Sequence, residues 1–102
     1  MVNVLLVEDT KMGRDCIAGY IKMSDRYNLA AAITNAGMAE MTCMRMKVDL
    51  ILMDYRTENN EDGISAAEVI KRHMPKIKII IIKSQYAGTG CTARSERLQR
   101  SK

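Results

Sequence analysis

Four short apolar runs recur along the chain, and each has the length of a strand. They are long enough to cross a sheet but too short to form helices, and polar or glycine residues separate them. The runs are residues 2–7, 29–34, 50–53 and 77–82. Because they are apolar on consecutive positions rather than on alternate ones, we expect strands that are buried on both faces, as in a parallel sheet.

The segments between these runs show helical spacing of apolar side chains. They are residues 11–23, 38–47 and 64–74. Thr10 is predicted to cap the first helix, and Pro75, the only proline, ends the third. Alternating strands and helices predict βαβ units, and therefore an α/β fold with a doubly wound parallel sheet and helices on both faces.

Length and composition limit the number of domains and the compartment. The 102 residues, of which 47% are hydrophobic, suffice for one domain with one modest core. The apolar run at residues 2–7 is too short to span a bilayer and leads into Glu8 and Asp9 rather than a cleavage site. We therefore expect a soluble cytoplasmic protein without membrane association, whose three cysteines are thiols.

The net charge of +4 lies mostly in the last residues. Residues 87–102 contain four basic side chains and one acidic side chain, which gives +3. No aromatic platform accompanies the arginines, so direct nucleic-acid binding is not expected. We predict that residues 1–86 form the domain and that residues 87–102 form a basic tail, either flexible or a short helix over residues 93–100.

Polar side chains follow three of the predicted strands where each strand ends. Glu8 and Asp9 follow the first, Asp54 follows the third and Ser84 follows the fourth. Carboxyl ends of parallel strands meet at one edge of a sheet, where doubly wound folds bind their ligands. Three close carboxylates repel one another, and a hard divalent cation such as Mg²⁺ offsets that repulsion.

Asp54 is the candidate nucleophile in this set. It follows an entirely apolar strand, residues 50–53, whereas Glu8 and Asp9 form a pair suited to metal binding. A carboxylate beside bound Mg²⁺ can attack an activated phosphoryl group, and the Ser84 hydroxyl can donate a hydrogen bond to a phosphoryl oxygen. Any one of these residues alone is expected to be an ordinary polar side chain at a strand end, but for the set of four the phosphoryl-transfer site is favoured.

The motifs at these strand ends resemble the receiver domain of bacterial two-component response regulators. They read VLLVED at residues 4–9, DLILMD at residues 49–54 and DG at residues 62–63, with a strand that closes on Ser84. The resemblance implies a flavodoxin-like receiver fold. It also implies Asp54 as phospho-acceptor, Ser84 as switch hydroxyl, and Glu8, Asp9, Asp54 and the backbone carbonyl of Arg56 as Mg²⁺ ligands. Arg14 sits where receivers often carry a basic residue.

By the same resemblance the chain is a signalling module rather than an enzyme. Its expected partners are a sensor histidine kinase and an output domain or protein partner, because receivers commonly precede a DNA-binding or enzymatic domain. A Mg²⁺-dependent phosphohydrolase is a less favoured alternative, since it needs a second aspartate where Arg56 stands.

Two parts of the family pattern have no counterpart. The family's proline four residues after the acceptor is replaced by Glu58, and the following loop is one residue longer. The strand and helix pattern stops after Ser84, so we expect the usual fifth strand with its lysine, and the last helix, to be absent, and we do not expect Lys83 or Tyr86 to substitute. The alternative function is therefore a receiver-like binding or scaffold module that is impaired in phosphorylation. Loss of the fifth strand also predicts an exposed strand-four edge, through which two chains can pair.

Two further features of the sequence are expected to have structural rather than functional roles. Met38, Met41 and Met44 recur at helical spacing, and we expect them to pack in the core. His73, the only histidine, is predicted to be a surface residue at the end of the third helix, away from the acidic edge.

Overall fold

The computed structural model describes residues 1–55, 63–86 and 91–97, with backbone alone for residues 83–86 and 91–97. Its strands are β1 Val2–Val7, β2 Tyr27–Ile33, β3 Leu50–Asp54, β4 Lys78–Tyr86 and β5 Cys91–Arg97. Its α-helices are α1 Lys11–Lys22, α2 Ala39–Arg45 and α3 Gly63–His73, and a short 3-10 helix, Ala36–Met38, precedes α2.

The strands form one sheet in the order β2-β1-β3-β4-β5. The first four are parallel, which confirms the doubly wound α/β fold. From β1 the chain passes to β2 on one side and then to β3 on the other. The direction therefore switches between β1 and β3, and ligands bind at the carboxyl ends of such a pair.

Apolar side chains of alternate strand residues form two layers of core. Leu5, Ile51 and Ile79 pack under α2 and α3, and Val4, Leu6 and Ile82 pack under α1. Thr10 caps α1, as predicted: its hydroxyl accepts a hydrogen bond from the backbone N–H of Gly13. Within the described ranges no helix is long and apolar enough to cross a membrane.

The end of the sheet differs from the prediction. Residues 91–97 form β5, which pairs antiparallel with residues 80–86 of β4, so the short helix predicted over residues 93–100 is wrong for this stretch. The edge of β4 is covered by β5, and the predicted exposed strand-four edge, the basis for a dimer through it, is wrong as well. Pairing with β5 satisfies backbone N–H and C=O groups that an edge strand leaves open.

The three methionines of the 3-10 helix and α2 are not in the core. Met38, Met41 and Met44 are 50%, 48% and 74% exposed, so that prediction is wrong. The helix instead buries small residues, Ala39 fully and Cys43 partly, against the layer under α2 and α3. Burial raises the pKa of the Cys43 thiol, and the nearby charge of Glu40 adds to this effect.

Two of the cysteines have different chemical states. Cys43 is a free thiol, whereas Cys16 in α1 is disulfide-bonded, so the expectation of a thiol is wrong for Cys16. The side chain of Cys91 lies outside those that the structure describes.

Candidate functional site

Glu8, Asp9 and Asp54 lie together at the carboxyl edge of β1 and β3. Val7 of β1 pairs with Met53 of β3. The next residue after each of them, Glu8 or Asp54, therefore reaches the same edge of the sheet. Each side chain offers a carboxylate oxygen, and these oxygens all lie within 4.8 Å of one another. Glu8 and Asp54 are 1% and 9% exposed, and Asp9 is exposed. The sequence prediction that these three carboxylates converge is confirmed.

The backbone of Asp54 is held by strand β4 and by the first residue of α3. It pairs with Ile82 of β4, and the N–H of Tyr55 donates to the carbonyl of Ile82 at 2.9 Å. Gly63, the first residue of α3, packs directly on the Asp54 backbone and donates its N–H to the carbonyl of Tyr55 at 3.0 Å. A Cβ on Gly63 would collide with the Asp54 carbonyl oxygen, which explains a glycine here. The backbone of the candidate acceptor is therefore fixed before any ligand binds.

The loop from β1 to α1 holds Glu8 and Asp9 by hydrogen bonds that sequence reasoning missed. Thr10 donates to Glu8 Oε2 from its hydroxyl at 2.9 Å and from its backbone N–H at 3.2 Å. Arg14 Nη1 donates to the carbonyls of Glu8 at 3.1 Å and Asp9 at 3.2 Å. Two features of the sequence point to Arg14: it stands one helical turn after the cap residue Thr10, and it occupies a position where receivers often carry a basic residue.

The donor set suits a hard cation. Three carboxylates within 4.8 Å supply oxygen ligands only, and two of them are buried. Like charges held this close are costly in a poorly solvated place unless a cation compensates them. An ion that prefers oxygen ligands, such as Mg²⁺ or Ca²⁺, therefore fits the cluster better than one that prefers sulfur or imidazole.

The two other predicted site residues have no described side chain. Arg56 and the loop that contains Glu58 lie outside the described residues. Ser84 has a described backbone and lies two residues beyond Ile82, the partner of Asp54. It lies inside β4 rather than at its end, because β4 continues to Tyr86 where β5 pairs with it.

His73 is distant from the cluster, as predicted. It is the last residue of α3, which begins at Gly63 against the Asp54 backbone and is 11 residues long, or about 16 Å. Its Nδ1 lies 2.5 Å from Glu40 Oε2, and its side chain is 55% exposed. This pair joins α3 to α2 and does not belong to the acidic site.

Comparison with known proteins identifies the family. The model of the response regulator receiver domain matches residues 4–93. The chain belongs to this family. The receiver domain is a signalling module, in agreement with the function class that the motifs at the strand ends indicate.

Curated relatives include the response regulator protein VraR of Staphylococcus aureus strain Mu3, which is 31% identical over 83 residues. That match covers 81% of this chain and 39% of VraR. VraR of Staphylococcus epidermidis is 30% identical over the same length. The chain thus spans about two fifths of the length of the curated relatives that it matches.

Solved structures show the same fold at low identity. The isolated receiver domain of RcsB from Salmonella enterica serovar Typhimurium, in the presence of the phosphomimetic BeF3-, aligns with a TM-score of 0.74 at 18% identity. The alignment covers 84% of this chain and 64% of that one. The non-phosphorylated receiver domain of RcsB from Escherichia coli aligns at 0.72 and 19% identity, over 80% of this chain and 64% of the other.

Proposed function

We propose that this receiver domain accepts a phosphoryl group on Asp54 from a sensor histidine kinase in the cytoplasm. The observation that carries the proposal is the cluster of Glu8, Asp9 and Asp54, whose carboxylate oxygens lie within 4.8 Å of one another at the sheet's switch point. Asp54 is the nucleophile because strand β4 and Gly63 hold its backbone. Glu8 and Asp9 belong to the metal side of the site.

Mg²⁺ is the proposed cofactor, with Glu8, Asp9, Asp54 and the backbone carbonyl of Arg56 as its protein ligands. When bound, the ion neutralises charge on the transferring phosphoryl group and on the carboxylates. The cluster provides oxygen ligands alone, which supports this choice of metal.

In the transfer step, a carboxylate oxygen of Asp54 attacks phosphorus in line with the departing group. A new O–P bond forms as the P–N bond of the kinase phosphohistidine breaks. The histidine ring is protonated on its other nitrogen, so it leaves as a neutral imidazole. The buried position of Asp54 excludes bulk water from one side of the carboxylate. We further propose that the Ser84 hydroxyl donates a hydrogen bond to the acquired phosphoryl group and that this contact changes how the domain meets its partner.

The partner is an output domain or another protein. VraR is a response regulator of which this chain spans 39%, and one solved RcsB structure is a complex with DNA. By analogy we propose that phosphorylation of this domain controls a transcriptional output carried by another domain or protein. The acidic site itself presents carboxylates, which repel the phosphates of nucleic acids.

The decisive experiment is the intact mass of the chain after incubation with acetyl phosphate, with Mg²⁺ or with EDTA. We expect one phosphoryl adduct that requires Mg²⁺ and is lost in Asp54→Asn. Asp49→Asn is the matched control because it makes the same change in the preceding turn, where Asp49 Oδ2 accepts a hydrogen bond from the N–H of Asn3. It should keep the adduct, since an asparagine oxygen still accepts that bond.

Two results would contradict the proposal. An adduct that persists in Asp54→Asn would place the acceptor elsewhere. A chain that is folded by circular dichroism yet forms no adduct would support the alternative, a receiver-like binding or scaffold module that does not hold phosphate.

A further inference from the structure

Arg14 contacts the main chain of Glu8 and Asp9, the two acidic residues of the loop before α1. Its Nη1 donates to the carbonyl oxygens of Glu8 at 3.1 Å and Asp9 at 3.2 Å. The arginine is half-buried, and its own N–H donates to the carbonyl of Thr10 at 2.9 Å in the first turn of α1. One guanidinium thus ties the helix to the two consecutive residues that carry acidic side chains.

We propose that Arg14 is a positioning residue for the cation site: it fixes the main chain so that Glu8 and Asp9 present their carboxylates to one ion. The inference rests on the proposed function, because it takes these residues to be ligands of a divalent cation. Arg14 touches no reacting atom in this proposal and acts through the backbone of the two ligands.

The need for such a device follows from strand geometry. Consecutive side chains of an extended chain point to opposite sides, yet Glu8 and Asp9 offer oxygens within 4.8 Å of one another. The chain must therefore bend directly after β1. The N–H of Glu8 anchors the start of the bend by donating to the carbonyl of Ile33 at 2.9 Å. The guanidinium holds the other side of the bend through the two carbonyls.

Arg14 is not engaged in the salt bridge beside it. Asp15 accepts from Lys11 Nζ at 2.8 Å on the exposed face of α1. The hydrogen bond from Lys11, together with the attraction of its charge, lowers the pKa of Asp15 and keeps that carboxylate ionised. The acidic neighbour of Arg14 in the sequence thus has its own cation, and the guanidinium is directed to the carbonyls.

The charge of Arg14 and its positioning role predict opposite changes in cation affinity when the residue is replaced. A guanidinium near a bound cation repels it, so an arginine that contributed only charge would weaken binding, and its removal would strengthen binding. An arginine that positions the ligands does the reverse, and its removal weakens binding. Groups that orient metal ligands typically change affinity by about 10- to 100-fold when they are removed.

The test compares Arg14→Met and Arg14→Lys with the unaltered chain. Mn²⁺ affinity is measured by electron paramagnetic resonance of free Mn²⁺, and Mg²⁺ affinity by competition, well below the unfolding temperature. We expect about tenfold weaker binding in both variants. Lysine keeps the charge but lacks the fork, so Arg14→Lys separates geometry from charge. Arg26→Met, an exposed arginine before β2 at the other end of β1, is the matched control and should bind normally.

The outcomes distinguish failure of the metal site from failure of the role proposed for Arg14. If the unaltered chain binds no cation, the proposed metal site fails and this inference fails with it. If that chain binds and both Arg14 variants bind equally well or more tightly, the inference alone is overturned. A purely structural role would lower the unfolding temperature in EDTA but leave the affinity of the folded chain unchanged. Circular dichroism identifies the folded variants, and Arg14→Lys serves if Arg14→Met does not fold.

Discussion

The two faces of the sheet are covered unequally, although the same strands supply both. Beneath α2 and α3, the strand residues Leu5, Val7, Ile51 and Met53 are 0% exposed. On the opposite face, Val4 and Leu6 of β1 are also buried, at 1% and 0% exposed, whereas Leu50, Leu52 and Ile80 are only partly buried. We call these the α2/α3 face and the α1 face. One helix covers the α1 face and two cover the other within the part of the chain that the structure describes.

The unequal cover leaves a groove along α1. Its volume is about 350 Å³, and its walls include Val4, Tyr20 and Leu52. Apolar surface that stays in contact with water gains little free energy from folding. We therefore expect truncation of a side chain on the α2/α3 face to cost more stability than truncation of a side chain beside the groove. The acidic cluster lies at the carboxyl ends of β1 and β3. Thr10 at the start of α1 contacts Glu8, and Gly63 at the start of α3 contacts Asp54.

The sharpest test of this difference truncates adjacent residues of β3. Ile51→Ala removes a fully buried side chain from the α2/α3 face and should lower the free energy of unfolding by about 3 to 4 kcal/mol. Leu52→Ala, on the α1 face, should cost only about 1 to 2 kcal/mol, because Leu52 is already partly exposed. Urea unfolding of both variants measures the difference. Equal losses would mean that the groove on the α1 face is filled in solution.

A second test uses one glycine in a helix on each face. Gly63→Ala in α3 forces a Cβ against the Asp54 carbonyl and against Met53 Cγ at 3.0 Å, and should cost about 2 kcal/mol. Gly19→Ala in α1 meets nothing within 4 Å and should stabilise the chain by about 0.5 to 1 kcal/mol. Thermal unfolding gives both values. A stable Gly63→Ala chain would show that α3 is not packed on the candidate acceptor.

The smallest expected effects come from the two helix caps. Thr10→Val removes the cap of α1 and should cost about 1 kcal/mol. It should also weaken cation binding, because the Thr10 hydroxyl donates to Glu8 Oε2. Asn35→Ala removes a cap on the α2/α3 face, where Asn35 Oδ1 accepts from the N–H of Gly37. Its cost should be similar or smaller, with unchanged affinity for the cation.

The two cap variants test whether a helix cap affects cation binding as well as stability. Thermal unfolding in EDTA reports the stability of each, and Mn²⁺ titration reports the site. Equal cation affinities in Thr10→Val and Asn35→Ala would show that the cap of α1 does not orient Glu8.

Much of the fold could be predicted because its signals are local. Strands β1 and β3 end close to the predicted residues, since their apolar runs stop abruptly at Glu8 and Asp54. The cap at Thr10 was equally readable, because an N-cap depends on a few neighbouring positions. Convergence of the three carboxylates followed from the rule that parallel strands share one carboxyl edge.

The predictions that were wrong concern contacts between distant parts of the chain. The methionine spacing on α2 showed that Met38, Met41 and Met44 share a side, but not which side of the helix faces the sheet. Rotation about the helix axis buried Ala39 and left the methionines exposed. Residues 91–97 carry little apolar pattern, and their strand depends on the open edge of β4 rather than on their own sequence.

The sequence by itself determined the order of the first four strands and the three α-helices, and the edge at which Glu8, Asp9 and Asp54 meet. These properties depend on where apolar runs begin and end, and each run is a local signal. Only the tertiary structure decided how completely each face of the sheet is covered and how Arg14 and Thr10 hold the loop before α1. Those features depend on helix rotation and on carbonyl directions in a bend, which the order of residue types does not encode.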